Sequence, residues 1–300
     1  MTKILTENQR VYLQSGLFVL LFLVIGLGWF GWTKIYMSPK NIFNDMLSNS
    51  LNTYGVTKTT SQKDDSGQLD QISQTQFGAR NLVDVKTTIT QPTDGGDAVV
   101  TTQAVGNGKE NYVRYVNVSV PKQEGKADLD FSSLKGVWGK QDPQGGVGNN
   151  SFTETLYGAV LFGYLPAQQR QQLMDTMIEK GVYDVDYSKV EYKKEDGKDV
   201  IVYPVKIKTK EYVELLQQYD KILGLDLMSQ LSADDYKDAA PISLSLSVNK
   251  ASRNLSRISY PDGARTENLG GYGIHKELEL PTESIPGTEL ESQLQSILGE

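Results

Sequence analysis

The sequence predicts an α+β chain, with an antiparallel sheet covered on one side by helices behind an N-terminal hydrophobic helix. Three observations predict it. From Val11 to Thr33 no residue is charged, and Leu17 to Ile25 is wholly apolar. Beyond that run, apolar and polar residues alternate in segments bounded by Asp and Gly, the period of half-buried strands. Between two blocks of such segments, apolar residues fall three and four apart, the period of amphipathic helices.

The uncharged run 11–33 is long enough to cross a bilayer, which takes about 20 helical residues. Trp29, Phe30, Trp32 and Tyr36 at its end suit a membrane interface, where amphipathic rings concentrate. No small-residue cleavage site follows, so the expectation is an uncleaved signal anchor at 11–33. Lys3 and Arg10 on one flank balance Lys34 and Lys40 on the other. Orientation therefore rests on plan: a short cytoplasmic tail (1–10), the anchor, then a long polar part outside the cell or in the periplasm. The expected divisions are 34–280 for an extracytoplasmic domain and 281–300 for a linker and short C-terminal helix. The whole reads as a single-pass cell-membrane protein whose membrane contact is 11–33. A cleaved signal peptide and a buried core helix are the competing readings.

The chain has no cysteine, so neither a disulfide nor a lipid on a processed cysteine is possible. An exported domain without disulfides fits a bacterial envelope better than a eukaryotic secretory route. The formal net charge of −7 disfavours nucleic acid as a partner, because phosphates would be repelled. Solubility alone also accounts for such acidity.

In chain order, Ile42, Phe43, Met46, Leu47 and Leu51 have helical spacing, which predicts a helix over Pro39–Leu51. Asp64–Gly67 and Asp94–Asp97 read as hairpin turns, since Asp and Gly tolerate positive φ. Val83, Val85 and Ile89 alternate with polar residues, and Tyr112–Val120 sets Val116, Val118 and Val120 on one face. Gln141–Asn150 reads as a loop. Phe152–Leu165 and Pro166–Lys180 read as helices. Pro166 stands at the start of the second, where its missing N–H is harmless. That helix carries the stripe Leu173, Met174, Met177, Ile178, and Gly181 follows as its C-terminal stop.

The second strand block opens with Tyr183, Val185 and Tyr187. Asp196-Gly197 reads as a hairpin turn, after which Ile201, Tyr203, Val205 and Ile207 share a face. Thr209 to Leu223 reads as a helix stopped by Gly224, and a weaker helix is expected over Leu227–Lys237. Ile242, Leu244, Leu246 and Val248 alternate with serines, giving the cleanest strand signal in the chain. Asn254–Tyr260 and one or two strands within Arg265–Leu280 follow. Thr288 and Glu291 form a capping box ahead of Leu290, Leu294, Ile297 and Leu298.

Catalytic signatures are weak. His275 is the lone histidine. On an expected strand Ile274–Leu280 it shares a polar face with Glu277 and Glu279, and a solvated face explains that better than a metal site. Ser132-Ser133-Leu134-Lys135 matches a Ser-x-x-Lys pattern, but its partner motifs are absent. Asp128, Asp130 and Ser132 begin a calcium-loop pattern that fails at Ser133 and Gly139. Gly145–Gly148 lacks the lysine of a phosphate loop. No catalytic residue, metal or cofactor is expected.

From Val182 to Tyr260 the order is hairpin (Asp196-Gly197), return strand (VIVYPVKIKT), helix (KEYVELLQQY), Ser/aliphatic strand, then a strand ending LSRISY. Ahead of it stand a helix like Pro39–Leu51 and strands like Tyr112–Val120 leading to Trp138. This order resembles the LolA-like and LppX/LprG-like lipoprotein-carrier superfamily, at the level of topology and without a diagnostic motif. The resemblance implies a curved half-barrel sheet plugged by helices, and a hydrophobic cavity that binds or carries acyl chains. Those families are usually cysteine-anchored or free, unlike this chain.

If that cavity exists, Leu156, Val160, Phe162, Leu173 and Met177 would line it from the helices, and Val185, Tyr203, Leu244 and Leu246 from the sheet. The same residues suit an ordinary packed core. Two functions follow. A binding protein for a lipid or other hydrophobic ligand predicts a hollow between sheet and helices. A non-catalytic structural or protein-interaction module predicts a filled core and an exposed patch at Leu290, Leu294, Ile297 and Leu298.

Overall fold

The computed structural model describes residues 36–78, 80–107, 109–122, 129–141, 147–263, 265–274 and 277–298. The first helix, α1 (Pro39–Ser50), starts where Ser38 turns its hydroxyl back to accept from the Asn41 amide at 3.3 Å. It buries Ile42, Phe43, Met46 and Leu47, the four residues whose spacing marks its apolar stripe.

Two hairpins follow, β1 (Gly55–Asp64) with β2 (Gly67–Gln76) and β3 (Leu82–Thr93) with β4 (Gly96–Gly106), then β5 (Asn111–Ser119) and β6 (Gly139–Gln141). Their tips are the two expected Asp/Gly turns. The helices α2 (Val147–Leu156) and α3 (Ala167–Glu179) come next. After them run β7 (Tyr183–Val185), β8 (Glu191–Glu195), β9 (Lys198–Ile207) and α4 (Thr209–Leu223). The chain closes with β10 (Ile242–Asn249), β11 (Leu255–Ser259), β12 (Arg265–Gly270), β13 (Ile285–Pro286) and α5 (Gly287–Leu298).

Among the described residues these strands make one open sheet in the order β13-β6-β5-β4-β3-β2-β1-β12-β11-β10-β9-β7, with β8 also on β9. Every neighbour is antiparallel except β13, which runs parallel to β6. The seam is the pair β1–β12, which joins the two strand blocks and sets Thr60 opposite Glu267. Asp196 and Gly197, at φ 49° and 76°, make the turn between β8 and β9. Both central residues are left-handed there, which matches the twist of a two-residue hairpin.

One apolar core fills the helix-facing side of the sheet. It takes Leu173 and Met177 from α3, Leu215 and Tyr219 from α4, and Ile201, Tyr203, Leu246 and Val248 from β9 and β10. A second, smaller core of Phe131, Leu134 and Leu290 holds α5.

Several expectations are corrected. The single-pass membrane reading does not stand on what is described: among the described residues no helix is long and apolar enough to cross a membrane. The expected tail 1–10 and span 11–33 lie outside the described residues. The helix expected over Phe152–Leu165 instead begins at Val147 and ends at Leu156, and 157–165 is not helical. Gly158 and Gly163 weaken helix there, and hydrogen bonds to α1 and to core tyrosines replace the helical ones. Ile178 leaves the expected stripe and is 58% exposed, because only Leu173, Met174 and Met177 turn inward. Leu227–Lys237 forms only a short 3-10 turn at Ala233–Tyr236. Residues 277–280 form no strand, and Ile274 is 66% exposed. His275 lies outside the described residues.

The tail helix is also not an open apolar patch. Leu290 is buried, Leu294 and Ile297 pack on the second core, and only Leu298 is exposed. The approach is close enough that a Cβ on Gly139 would meet Leu290 Cδ2 at 2.9 Å.

Candidate functional site

The sheet–helix interior divides by chemistry. On β9 to β11 its inward residues are apolar. On β1 and β2 they are not: Lys58, Thr60, Gln71, Ser73 and Thr75 are all buried, in phase with the core residue Val56. In-register partners on antiparallel strands share a face, and the register sets Lys58 against Ser73 and Thr60 against Gln71. It also brings Glu267 beside Thr60 from β12.

Glu267 is the hub of a buried charged cluster. Arg265 Nη2 and Nε donate to its Oε1 at 2.6 and 3.0 Å, and the Tyr260 hydroxyl donates to the same oxygen at 3.3 Å. The other oxygen, Oε2, faces Lys58 Nζ at 3.5 Å and accepts no hydrogen bond. Thr60 Oγ1 is likewise buried without a hydrogen-bond partner. Burial pushes the Lys58 ammonium below its ordinary value, while the charge of Glu267 opposes that shift. Burial, reinforced by Glu267, raises the Tyr260 phenol to about 12.

Over this cluster crosses the segment 157–165, a strap between α2 and α3. Its carbonyls are held by tyrosines of the core. Tyr212 donates to Gly158 O, Tyr183 to Ala159 O at 3.0 Å, and Tyr219 to Phe162 O. The strap's own Tyr157 donates to the buried Asp220. At its far end Gly163 N donates to Ser50 O at 2.9 Å, and Leu165 N to Leu51 O at 3.1 Å.

Between strap and sheet the pocket lined by Lys58, Glu267, Val56, Ile258, Val160 and Phe162 holds only about 10 Å³. That is room for one water-sized group. An open groove of about 610 Å³ lies at one end of the sheet, lined by Asp184, Asp186, Lys189, Lys206, Leu244 and Tyr260 among others. Tyr260 belongs to both, since it walls the groove and bonds Glu267.

The residues expected to line a cavity gather in this interior. Leu156, Val160, Phe162, Leu173, Met177, Tyr203, Leu244 and Leu246 are buried in the main core, and Val185 packs partly buried against it. Val160 and Phe162 reach the small pocket, and Leu244 the open groove. The rest meet one another in close packing instead of facing a hollow. Lys58, Thr60 and Glu267 escaped the sequence reading, because GVTKTTSQKD is polar after Val56 and RTENLG is polar up to Leu269. The available signal was phase: Lys58 and Thr60 continue the inward positions begun by Val56.

Among the described residues no group of three or more His, Asp or Glu is placed to hold a metal ion. No family model matches the chain, and no curated protein matches it. Among solved structures the chain is similar to the crystal structure of LprF from Mycobacterium bovis. The TM-score is 0.38 and the identity 12%, over 81% of this chain and 98% of that one.

Proposed function

We propose that this chain is a binding protein and not an enzyme, and that its sheet–helix interior takes up a lipid or other hydrophobic molecule when the strap 157–165 moves aside. One observation carries the reading. Beneath the strap Glu267 Oε2 has the Lys58 ammonium at 3.5 Å and no closer donor, and its in-register neighbour Thr60 keeps a buried Oγ1 without a hydrogen-bond partner. A buried hydroxyl left so costs about 1–3 kcal/mol, a cost that packing alone gives no reason to keep. The strap has no helix or strand of its own, and is held by tyrosine hydroxyls along its length and by backbone bonds to the end of α1. A bound chain would meet Leu156, Val160, Phe162, Leu173, Met177, Val185, Tyr203, Leu244 and Leu246.

The test is native mass spectrometry of the full chain from a bacterial host, with solvent extraction of anything bound. A stoichiometric adduct of lipid mass supports the reading. An apo mass that stays unchanged after incubation with membrane lipids removes it.

A second reading is favoured by the free volume of only about 10 Å³ between sheet and strap. In it the chain is a filled structural or protein-interaction module, and the unchanged apo mass is its expected result.

A further inference from the structure

We infer that Lys58, Thr60 and Glu267 form a subsite for a hydroxyl group, so that the molecule taken up is a long-chain alcohol or a hydroxyl-bearing acyl lipid. The inference rests on the interior-binding reading above and names the chemistry of what enters.

The donor and acceptor set decides it. An ionised carboxylate only accepts, and Glu267 Oε1 is already occupied by Arg265 and Tyr260. Oε2 has only the 3.5 Å Lys58 contact and can accept from a second, closer donor. Lys58 Nζ offers only donors, and stands 3.5 Å from that oxygen. Thr60 Oγ1 can act either way. A single group that both donates and accepts bridges Lys58 and Glu267, with Thr60 in register beside Glu267. A hydroxyl does so, giving its proton to Glu267 Oε2 while accepting from Lys58.

Other headgroups fit worse. A ligand carboxylate or phosphate would set a second anion against Glu267 Oε2, with Lys58 between them. A ligand ammonium would be a third cation beside Lys58 and Arg265. A plain hydrocarbon end would leave Thr60 Oγ1 without a hydrogen-bond partner and Oε2 with the Lys58 contact alone. With the strap in place about 10 Å³ admits one hydroxyl-sized group and no ring, and the chain behind it requires the strap displaced. Val56, Ile258, Leu269, Val160 and Phe162 on the walls suit its methylenes, beside the polar Thr75 and Thr155.

The test measures affinity of the full chain for oleyl alcohol, oleate and octadecene by displacement of an apolar fluorescent dye. One buried hydrogen bond is worth roughly tenfold in affinity, so the alcohol should bind about tenfold tighter than either analogue. Thr60→Val is close in shape and should weaken the alcohol alone by about the same factor. Glu267→Gln should act in the same direction, with circular dichroism checking its fold. Equal affinities for the three probes, or an alcohol affinity untouched by Thr60→Val, would overturn the subsite while leaving interior binding standing. Binding of none of the three would overturn both.

Discussion

The amide of Gly163 donates to the carbonyl of Ser50 at 2.9 Å, so the strap satisfies the last turn of the first helix. Helix C-termini leave carbonyls without internal partners, and here the strap supplies the missing donors at Ser50 and Leu51. Displacing the strap would thus orphan one end of α1 as well as break its tyrosine contacts. The closed form is stabilised from both sides, and opening has to overcome both.

Tyr219→Phe should remove one strap contact without changing volume. The expected loss is about 1 kcal/mol in urea unfolding, the net worth of one hydrogen bond. Amide exchange at Gly163 and Leu165 should quicken relative to β1–β5. Unchanged protection at those two amides would show that the hydroxyl does not hold the strap.

Alkaline pH should unfold the chain through its core tyrosines. Burial raises the phenols of Tyr183, Tyr203, Tyr219 and Tyr272 above the ordinary 10.0, and Tyr260 to about 12. A raised folded value means that the stabilisation is whole below 10.0 and is lost as pH climbs through the folded value. Phenolate absorbance should therefore rise in two stages, the second coinciding with loss of circular dichroism. A single stage at the ordinary value, with the fold intact, would contradict this.

Lys58 acts with the opposite sign. Its folded value is lowered from 10.5 by burial, so between that lowered value and 10.5 the unfolded chain binds the proton more tightly. Its contribution to stability grows as pH rises through that window and is lost as pH falls through the folded value. In Lys58→Met this pH dependence disappears. The gap between wild type and variant in urea midpoints should widen in favour of wild type from neutral to mildly alkaline pH. Parallel pH profiles for the two proteins would count against a buried ammonium.

Leu290→Ala should cost about 2–5 kcal/mol, but only in the second core. The expected result is protease cutting within Gly287–Leu298 while the strap and β9–β11 stay protected. Gly139→Val should have the same effect, since its side chain would run into Leu290. Loss of protection across both cores at once would mean that they unfold as one unit.

The parts legible in the sequence are those whose cause is local. Asp196-Gly197 announces a hairpin because those two residues accept left-handed φ, and it is found there. Ile201, Tyr203, Val205 and Ile207 alternate because one face of β9 is dry, and all four are buried. Leu173 and Met177 show the same logic at helical period. The strap was misread because its cause is remote. Leu161 and Phe162 are apolar enough for a helix, but the backbone of the strap, at Gly158, Phe162, Gly163 and Leu165, finds its partners in Tyr212, Tyr219 and the end of α1, far away in sequence. Lys58 and Glu267 were hidden differently, since a hydropathy pattern records a polar residue as outward even where the phase of Val56 points it inward.

The seam of the sheet pairs Thr57 with Gly270. During synthesis the strand β1 is therefore finished long before its partner β12 leaves the ribosome. For that whole interval it presents an unpaired edge, the kind of surface on which nascent chains add to one another. An inward-pointing lysine on such an edge is a known deterrent, because a second strand pairing there would have to bury the charge unpaired. Lys58 occupies that position until Glu267 arrives. A foreign strand on that edge would have to bury this lysine without its carboxylate, whereas β12 brings Glu267 with it.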